Sequence, residues 1–140
     1  MMITELTKQK KFELTKNTKI VWGRTLFQIR ALISFADVHE GDLGGWVEKE
    51  DNLSQEDNCW VYDDACVFQN GRVSENGRVT GNGQVLGNGC VAGNSCISGN
   101  GEVSGYSRVS GNILVTDDAK VFGEGHVTGN SRIAGDSKVF

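Results

Sequence analysis

The stretch VTGNGQVLGNGCVAGNSC, residues 79–96, repeats one pattern every six positions: an aliphatic residue, then a Gly-Asn pair two positions later. The aliphatic spacing continues unbroken from Val61 to Val139. A fixed short period is the mark of a solenoid, in which each repeat packs only on its neighbours. The sequence therefore predicts a repetitive β structure over more than half of the chain.

The repeat length favours a coil over a series of hairpins. Asn followed by Gly is usually a hairpin signal, but six residues leave arms too short to cover a core. If the chain instead turns by about 120° at each Gly-Asn, three repeats close one triangular coil of 18 residues. Successive coils then stack at the strand spacing of about 4.8 Å.

Strand alternation assigns each residue of a repeat to the inside or the outside of the coil. The aliphatic side chain points inward, its two neighbours point outward, and the small residue two positions before it points inward near a corner. Residues 18 apart form columns along one face. One corner column consists of asparagines that we expect to form an amide ladder: Asn76, Asn94, Asn112 and Asn130.

The repeats resemble the hexapeptide-repeat left-handed β-helix family over residues 46–140, on the pattern seen in Val79-Thr80-Gly81-Asn82-Gly83-Gln84. The left-handed winding is what this resemblance implies. The segments 44–47 (GGWV) and 58–62 (NCWVY) are also similar to small phage- and prophage-associated repeat proteins. The expected fold is all-β: a three-sided left-handed parallel β-helix over residues 46–140, preceded by a small β-rich capping module over residues 1–45.

Charge is unevenly distributed along this 140-residue chain, whose net charge is −4. Residues 1–36 carry seven Lys or Arg against two Glu, and residues 37–66 carry ten acids against one Lys. We expect the basic head and the acidic neck to neutralise each other across the cap; the alternative is an acidic patch for a basic partner. The repeats from residue 67 onward are neutral and lack a basic stripe, which argues against direct nucleic-acid binding.

Targeting signals and metal-binding motifs are not evident. No stretch approaches the roughly 18 apolar residues of a membrane span, and residues 1–4 lead into polar sequence rather than a signal peptide. The four cysteines lack Cys-x-x-Cys spacing, so zinc is not expected. We predict a cytoplasmic protein with reduced thiols and no cofactor.

One outward column is unusually apolar. The residue after each aliphatic position on this face is Phe68, Leu86, Ser104, Phe122 or Phe140. An exposed apolar run usually marks an interface, so we expect self-association or a protein partner there. Docking of the basic head along that face is the alternative. Two departures from the repeat, Tyr106 at a turn and Leu114 beside Ile113, complete the predicted interface set: Phe68, Leu86, Phe122, Phe140, Tyr106 and Leu114.

A second outward column is mildly basic. It contains Arg72, Cys90, Arg108 and His126, and its arginines and histidine are candidates for contact with an anion or an acidic partner. The alternative is an ordinary solvated face.

The last residues, 138–140, are in register with the repeats and bring no cap of their own. An open coil exposes unpaired backbone groups and core. We therefore predict a homo-oligomer, a dimer or a trimer, joined near the C-terminal coils or along the apolar column.

The family resemblance also implies a possible acyltransferase, since its enzymes place a catalytic histidine in a cleft between subunits. Only His39 and His126 are available; no loop insertion interrupts the repeats near His126, and Glu124 is only a weak candidate to orient it. We assign no catalytic residue. The expected function is a non-catalytic protein-binding platform, and the phage resemblance implies an accessory protein that inhibits a host defence protein. An acyltransferase-like enzyme and a purely structural rod are the alternatives.

Overall fold

The computed structural model describes residues 9–140 as an all-β chain. The first eight residues of the predicted capping module lie outside this range. The described chain contains one 3₁₀ turn, at Glu50–Asn52. The strands are β1 Phe12–Val21, β2 Arg24–Ala31, β3 Leu43–Val47, β4 Trp60–Val61, β5 Cys66–Val67, β6 Arg72–Val73, β7 Arg78–Val79, β8 Gln84–Val85, β9 Cys90–Val91, β10 Cys96–Ile97, β11 Glu102–Val103, β12 Arg108–Val109, β13 Asn112–Val115, β14 Lys120–Val121, β15 His126–Val127, β16 Asn130–Ile133 and β17 Lys138–Val139.

The repeat strands stack in parallel into three sheets that enclose a solenoid of about five turns. We call them the first face (β5, β8, β11, β14, β17), the second face (β6, β9, β12, β15) and the third face (β4, β7, β10, β13, β16). Each strand pairs with the strand 18 residues later; for example, Val67 is in register with Val85, and Val85 with Val103. The predicted all-β parallel solenoid is confirmed.

The core is a narrow axial stack of the aliphatic residues. From Val61 to Val121, every one is fully buried. Small residues fill the corners beside them, as predicted: Ala65, Ser95, Ser107 and Ala119 are buried. Backbone hydrogen bonds run from coil to coil, such as the 3.0 Å bond that the Phe68 N–H donates to the Val85 carbonyl. Stability thus comes from adding coils to their neighbours.

The turns require left-handed backbone at one position per repeat. Glycine usually occupies it, and at Gly111, with φ of 89°, an added Cβ would lie 2.5 Å from the Gly129 carbonyl oxygen. Four turns use a longer residue at this position, and its side chain then accepts the N–H of the next coil. Glu75 accepts from Gly93 at 2.7 Å, and Gln69 accepts from Gly87 at 2.8 Å. The hydrogen bond offsets part of the strain of the left-handed conformation.

The N-terminal segment extends the first face. Strands β1 and β2 form an antiparallel hairpin, β2 pairs antiparallel with β3, and β3 pairs in parallel with β5. Leu53 then bridges to Val73, 20 residues away, whereas Trp60 pairs with Arg78 at the regular spacing of 18. The two extra residues therefore lie between Leu53 and Trp60, where the spacing of aliphatic residues widens from six positions to eight, from Leu53 to Val61.

A buried lysine holds this segment. The Lys11 ammonium donates to the carbonyl of Cys59 at 2.7 Å, and to the carbonyls of Glu56 and Asp57 at 3.2 Å. It also lies 3.3 Å from the Cys59 sulfur and 4.9 Å from the centre of the Phe35 ring. Burial lowers the pKa of Lys11, although the carbonyl cage satisfies its donors. The lysine ties β1 to the first coil.

No helix in the described range is long and apolar enough to cross a bilayer.

Candidate interaction surface

The apolar column lies on the first face, but its first member is covered. Phe68 is 0% exposed and packs with Leu26 and Cys66 in a cluster separate from the axial core. Val21, Trp46 and Leu86 pack around this cluster. The expectation that Phe68 meets a partner is therefore corrected: the hairpin already occupies that position.

Polar contacts fix the hairpin over this end of the column. Lys19 lies over the Trp46 ring at 4.8 Å from its centre, and Arg24 pairs with Glu48 at 2.8 Å. Arg30 also pairs with Glu13 within the hairpin. The alternative interpretation, docking of the basic head, describes the first two positions of the column.

Beyond Leu86 the column is open. Phe122 is half-buried, and Phe140 is 80% exposed. Their rings stack with centres 5.1 Å apart and planes inclined by 28°. A shallow depression of about 310 Å³ lies beside them, lined by Ser104 and by a charged row: Glu102, Lys120 and Lys138. This part of the first face combines aromatic surface with charges of both signs.

Tyr106 lies next to this open stretch. It follows β11 at the corner between the first and second faces, two residues after Ser104. Its side chain is 69% exposed. A tyrosine exposed to this degree at a position that usually holds asparagine adds aromatic surface to the edge of the first face.

Leu114 lies elsewhere. It is half-buried on the third face, in register with Cys96 and Arg132. Its neighbour Ile113 points inward, is 2% exposed, and its N–H donates to the Ser95 hydroxyl at 3.4 Å. The bulky pair lengthens β13 to four residues, and β13 pairs with all four residues of β16. Leu114 therefore does not join the other predicted interface residues.

The basic column is present on the second face. Arg72, Cys90, Arg108 and His126 are in register on consecutive coils. Arg72 donates to the Asp51 carbonyl at 3.3 Å, while no carboxylate within residues 9–140 pairs with Arg108. Arg108 and His126 are exposed. They present uncompensated donors to solvent.

The open apolar stretch and the basic column flank the same corner. Only three residues separate Phe122 on the first face from His126 on the second, and only one residue separates Tyr106 from Arg108. We call the surface formed by Tyr106, Arg108, Phe122 and His126 the corner surface; Leu86 packs against the cluster under the hairpin and is not part of it. The sequence indicates the apolar column and the basic column separately. Only the order of the faces in the structure shows that the two columns adjoin at one corner.

The two histidines lie in different parts of the structure, His39 in the loop after β2 and His126 in β15. Within the described range, His126 has no hydrogen-bond partner to orient its ring, and His39 lies 3.8 Å from Asp42 in an exposed loop. Among residues 9–140 no group of three His, Cys, Asp or Glu side chains is placed to hold a metal ion.

The cysteines are all free thiols. Burial raises the pKa of Cys59, Cys66 and Cys96, which keeps these three thiols protonated and poorly nucleophilic. They act as small packing residues.

Neither a comparison with protein-family models nor one with curated proteins gives a match. The fold and the corner surface thus carry the functional argument on their own.

Proposed function

We propose that this protein is a non-catalytic binding platform that holds another protein against its corner surface. The observation that carries this proposal is the open stretch of the first face, where Phe122 and Phe140 stack on an outward column beside an exposed Tyr106. Aromatic residues and arginine supply most binding hot spots in protein interfaces. The corner surface offers both on a rigid, hydrogen-bonded scaffold.

Charge defines the chemistry of the partner. Arg108 and His126 line one side of the corner surface, and Lys120 lies on the other side in the row next to Phe122. A partner that brings carboxylates around an apolar or aromatic centre complements this arrangement. A rigid solenoid also loses little conformational entropy on binding, which favours affinity for a given area.

The same proposal includes the repeat family of this protein and its origin. The repeat pattern supports a left-handed hexapeptide-repeat β-helix, and the sequence around Trp46 and Trp60 supports a phage- or prophage-encoded accessory protein. On this proposal the partner is a host defence protein whose working surface is occupied, and the four free thiols fit a reducing cytoplasm.

Substitution on the corner surface tests the proposal. Phe122→Asp and Arg108→Glu place charge, or reversed charge, in the surface without touching the axial core. Ser98→Asp is the matched control, because Ser98 holds the same position of its repeat on the third face. We expect cross-linked capture of partners from host lysate to fail with both corner variants and to persist with Ser98→Asp. Capture that is equal for all three would contradict the proposal.

A second copy of this chain is the other occupant of the corner surface that the stacked phenylalanines favour. Light scattering of the purified chain measures it directly: a dimer or trimer that Phe122→Asp converts to monomer would assign the surface to a second copy. A monomer at high concentration, together with captured partners that depend on Phe122, would assign it to another protein.

A further inference from the structure

A polar recess lies away from the corner surface, where the loop after β2 meets the third face. Its volume is about 360 Å³, within the range of small-molecule sites. One wall comes from the loop, and the other from the first coils of the solenoid. Its polar lining consists of Asp37, Asn58, Tyr62, Asn76, Arg78 and Asn94.

A tight turn presents the acidic wall. Phe35 and Val38 exchange backbone hydrogen bonds of 2.9 and 2.8 Å, with Ala36 in the left-handed region at φ of 48°. Val38 is buried in the axial core, and the Phe35 ring packs edge-on to Trp60 at 5.3 Å. Asp37 lies exposed between these two anchors, so its carboxylate is held in place.

The basic wall comes from a strand that is paired on both sides. Arg78 belongs to β7 and is in register between Trp60 of β4 and Cys96 of β10. Its side chain is exposed, and within the described range no carboxylate forms an ion pair with it. The guanidinium is therefore available to an external anion.

The Tyr62 phenol lies near both the Asp37 carboxylate and the Arg78 guanidinium. The Tyr62 hydroxyl donates to Asp37 Oδ1 at 2.9 Å, which leaves the second carboxylate oxygen open. Burial and then Asp37 raise the pKa of Tyr62 to about 12, whereas Arg78 acts in the opposite direction. Both charges therefore lie near the same phenol oxygen. A cation site and an anion site are thus held side by side.

We propose that this recess binds a small α-amino acid, with its carboxylate on Arg78 and its ammonium on Asp37. The ammonium and carboxylate groups of the ligand are attached to the same carbon atom, which matches two protein charges that both lie near the Tyr62 phenol. A ligand with a single charge would gain a charge-assisted contact with only one of the two protein groups, and a neutral sugar with neither. Side-chain amides of Asn58, Asn76 and Asn94 line the remaining wall and suit a polar side chain.

Titration followed by backbone amide NMR tests this site, with L-serine as the probe. We expect saturable shifts at residues 36–38 and 76–80, with a dissociation constant of about 1 mM. Arg78→Gln and Asp37→Asn should each weaken binding about tenfold. Arg132→Gln is the matched control, since Arg132 occupies the same column of the third face outside the recess, and it should leave binding unchanged. Spectra that keep the wild-type shifts far from the recess verify that each variant folds.

Ligands that carry only one of the two charges distinguish an amino-acid site from a site for a simple ion. Acetate and methylammonium each carry one of the two charges, and we expect either to bind at least about tenfold more weakly than serine. Acetate binding as tightly as serine, saturation by a neutral hexose alone, or no shift with serine at about 20 mM would each overturn the proposal. Equal binding by wild type and Asp37→Asn would overturn it as well.

Discussion

Phe68 and Phe122 occupy the same outward position of the same face, three coils apart, yet one is fully buried and the other is only half-buried. The repeat fixes the direction in which each side chain points. Whether that side chain is covered depends on Leu26, which lies in the hairpin and outside the repeat. Position in a solenoid therefore predicts orientation, while burial is decided by segments that the period does not describe.

The sharpest way to test this comparison is to truncate both phenylalanines. Phe68→Ala removes a buried ring and should lower the free energy of unfolding by about 3–5 kcal/mol. Phe122→Ala removes a half-exposed ring stacked on Phe140 and should cost about 1 kcal/mol. Urea unfolding followed by circular dichroism measures both. Equal losses would mean that the hairpin does not cover Phe68 in solution.

A second pair of variants compares an interior coil with an outer one. Gly111 and Gly129 occupy the same corner column with positive φ, but a Cβ on Gly129 meets nothing within 4 Å. Alanine at either position should cost about 1–2 kcal/mol for the left-handed backbone. Gly111→Ala should cost about 1–3 kcal/mol more, because its Cβ strikes the coil above. Thermal unfolding of both variants gives the difference, and a larger loss for Gly129→Ala would contradict the stacking.

Alkaline pH should destabilise the first coil of the solenoid and the N-terminal hairpin that packs on it. Cys59, Cys66 and Tyr62 all lie there, and each has a raised pKa in the folded state. A raised folded pKa gives stability that is present below the unfolded value and is lost as pH rises, here between about pH 9 and pH 12. Lys11 opposes this trend, because its lowered pKa adds stability as pH rises toward its ordinary value.

The expected net result is a lower urea midpoint at about pH 11 than at about pH 8. Tyr62→Phe removes one of the titrating groups, so its midpoint should fall less above about pH 10 than that of the wild type. A fall of the same size in both proteins would remove Tyr62 from this account.

The smallest effect concerns the polar contacts that hold the hairpin. Lys19→Ala removes the cation from the Trp46 ring and should cost about 0.5–1 kcal/mol. The tryptophan emission, to which Trp46 contributes together with Trp22 and Trp60, should shift to longer wavelength as the hairpin loosens. Lys120→Ala, on the open part of the same face, is the control and should change neither quantity. An unchanged spectrum for Lys19→Ala would mean that the contact between Lys19 and Trp46 does not help to hold the hairpin.

The sequence alone was sufficient for the fold because the information is local and repeated. The spacing of Val79, Val85 and Val91 determines the direction of every side chain in the coil, and the parallel sheets follow from it. The extra residues before Trp60 were also visible as a break in the period. These features need no knowledge of contacts between distant segments.

The sites were less predictable because they join distant segments. Nothing near Phe68 in the sequence indicates that Leu26 covers it, and nothing near Lys11 indicates a cage of carbonyls from residues 56–59. The recess between Asp37 and Arg78 combines a non-repetitive loop with one member of an outward column. A lone Asp in a tight turn carries no signal of its own in sequence.

The 18-residue pairing has a consequence for how such a chain can vary. Insertion or deletion of three whole repeats changes the rod by one strand spacing, about 4.8 Å, and returns every later side chain to its own column. Insertion of a single repeat instead rotates everything downstream by one face, which would carry Phe122 away from the side that the hairpin occupies. The length of the solenoid can therefore change without altering which residues lie on each face, provided that it changes by whole turns of 18 residues.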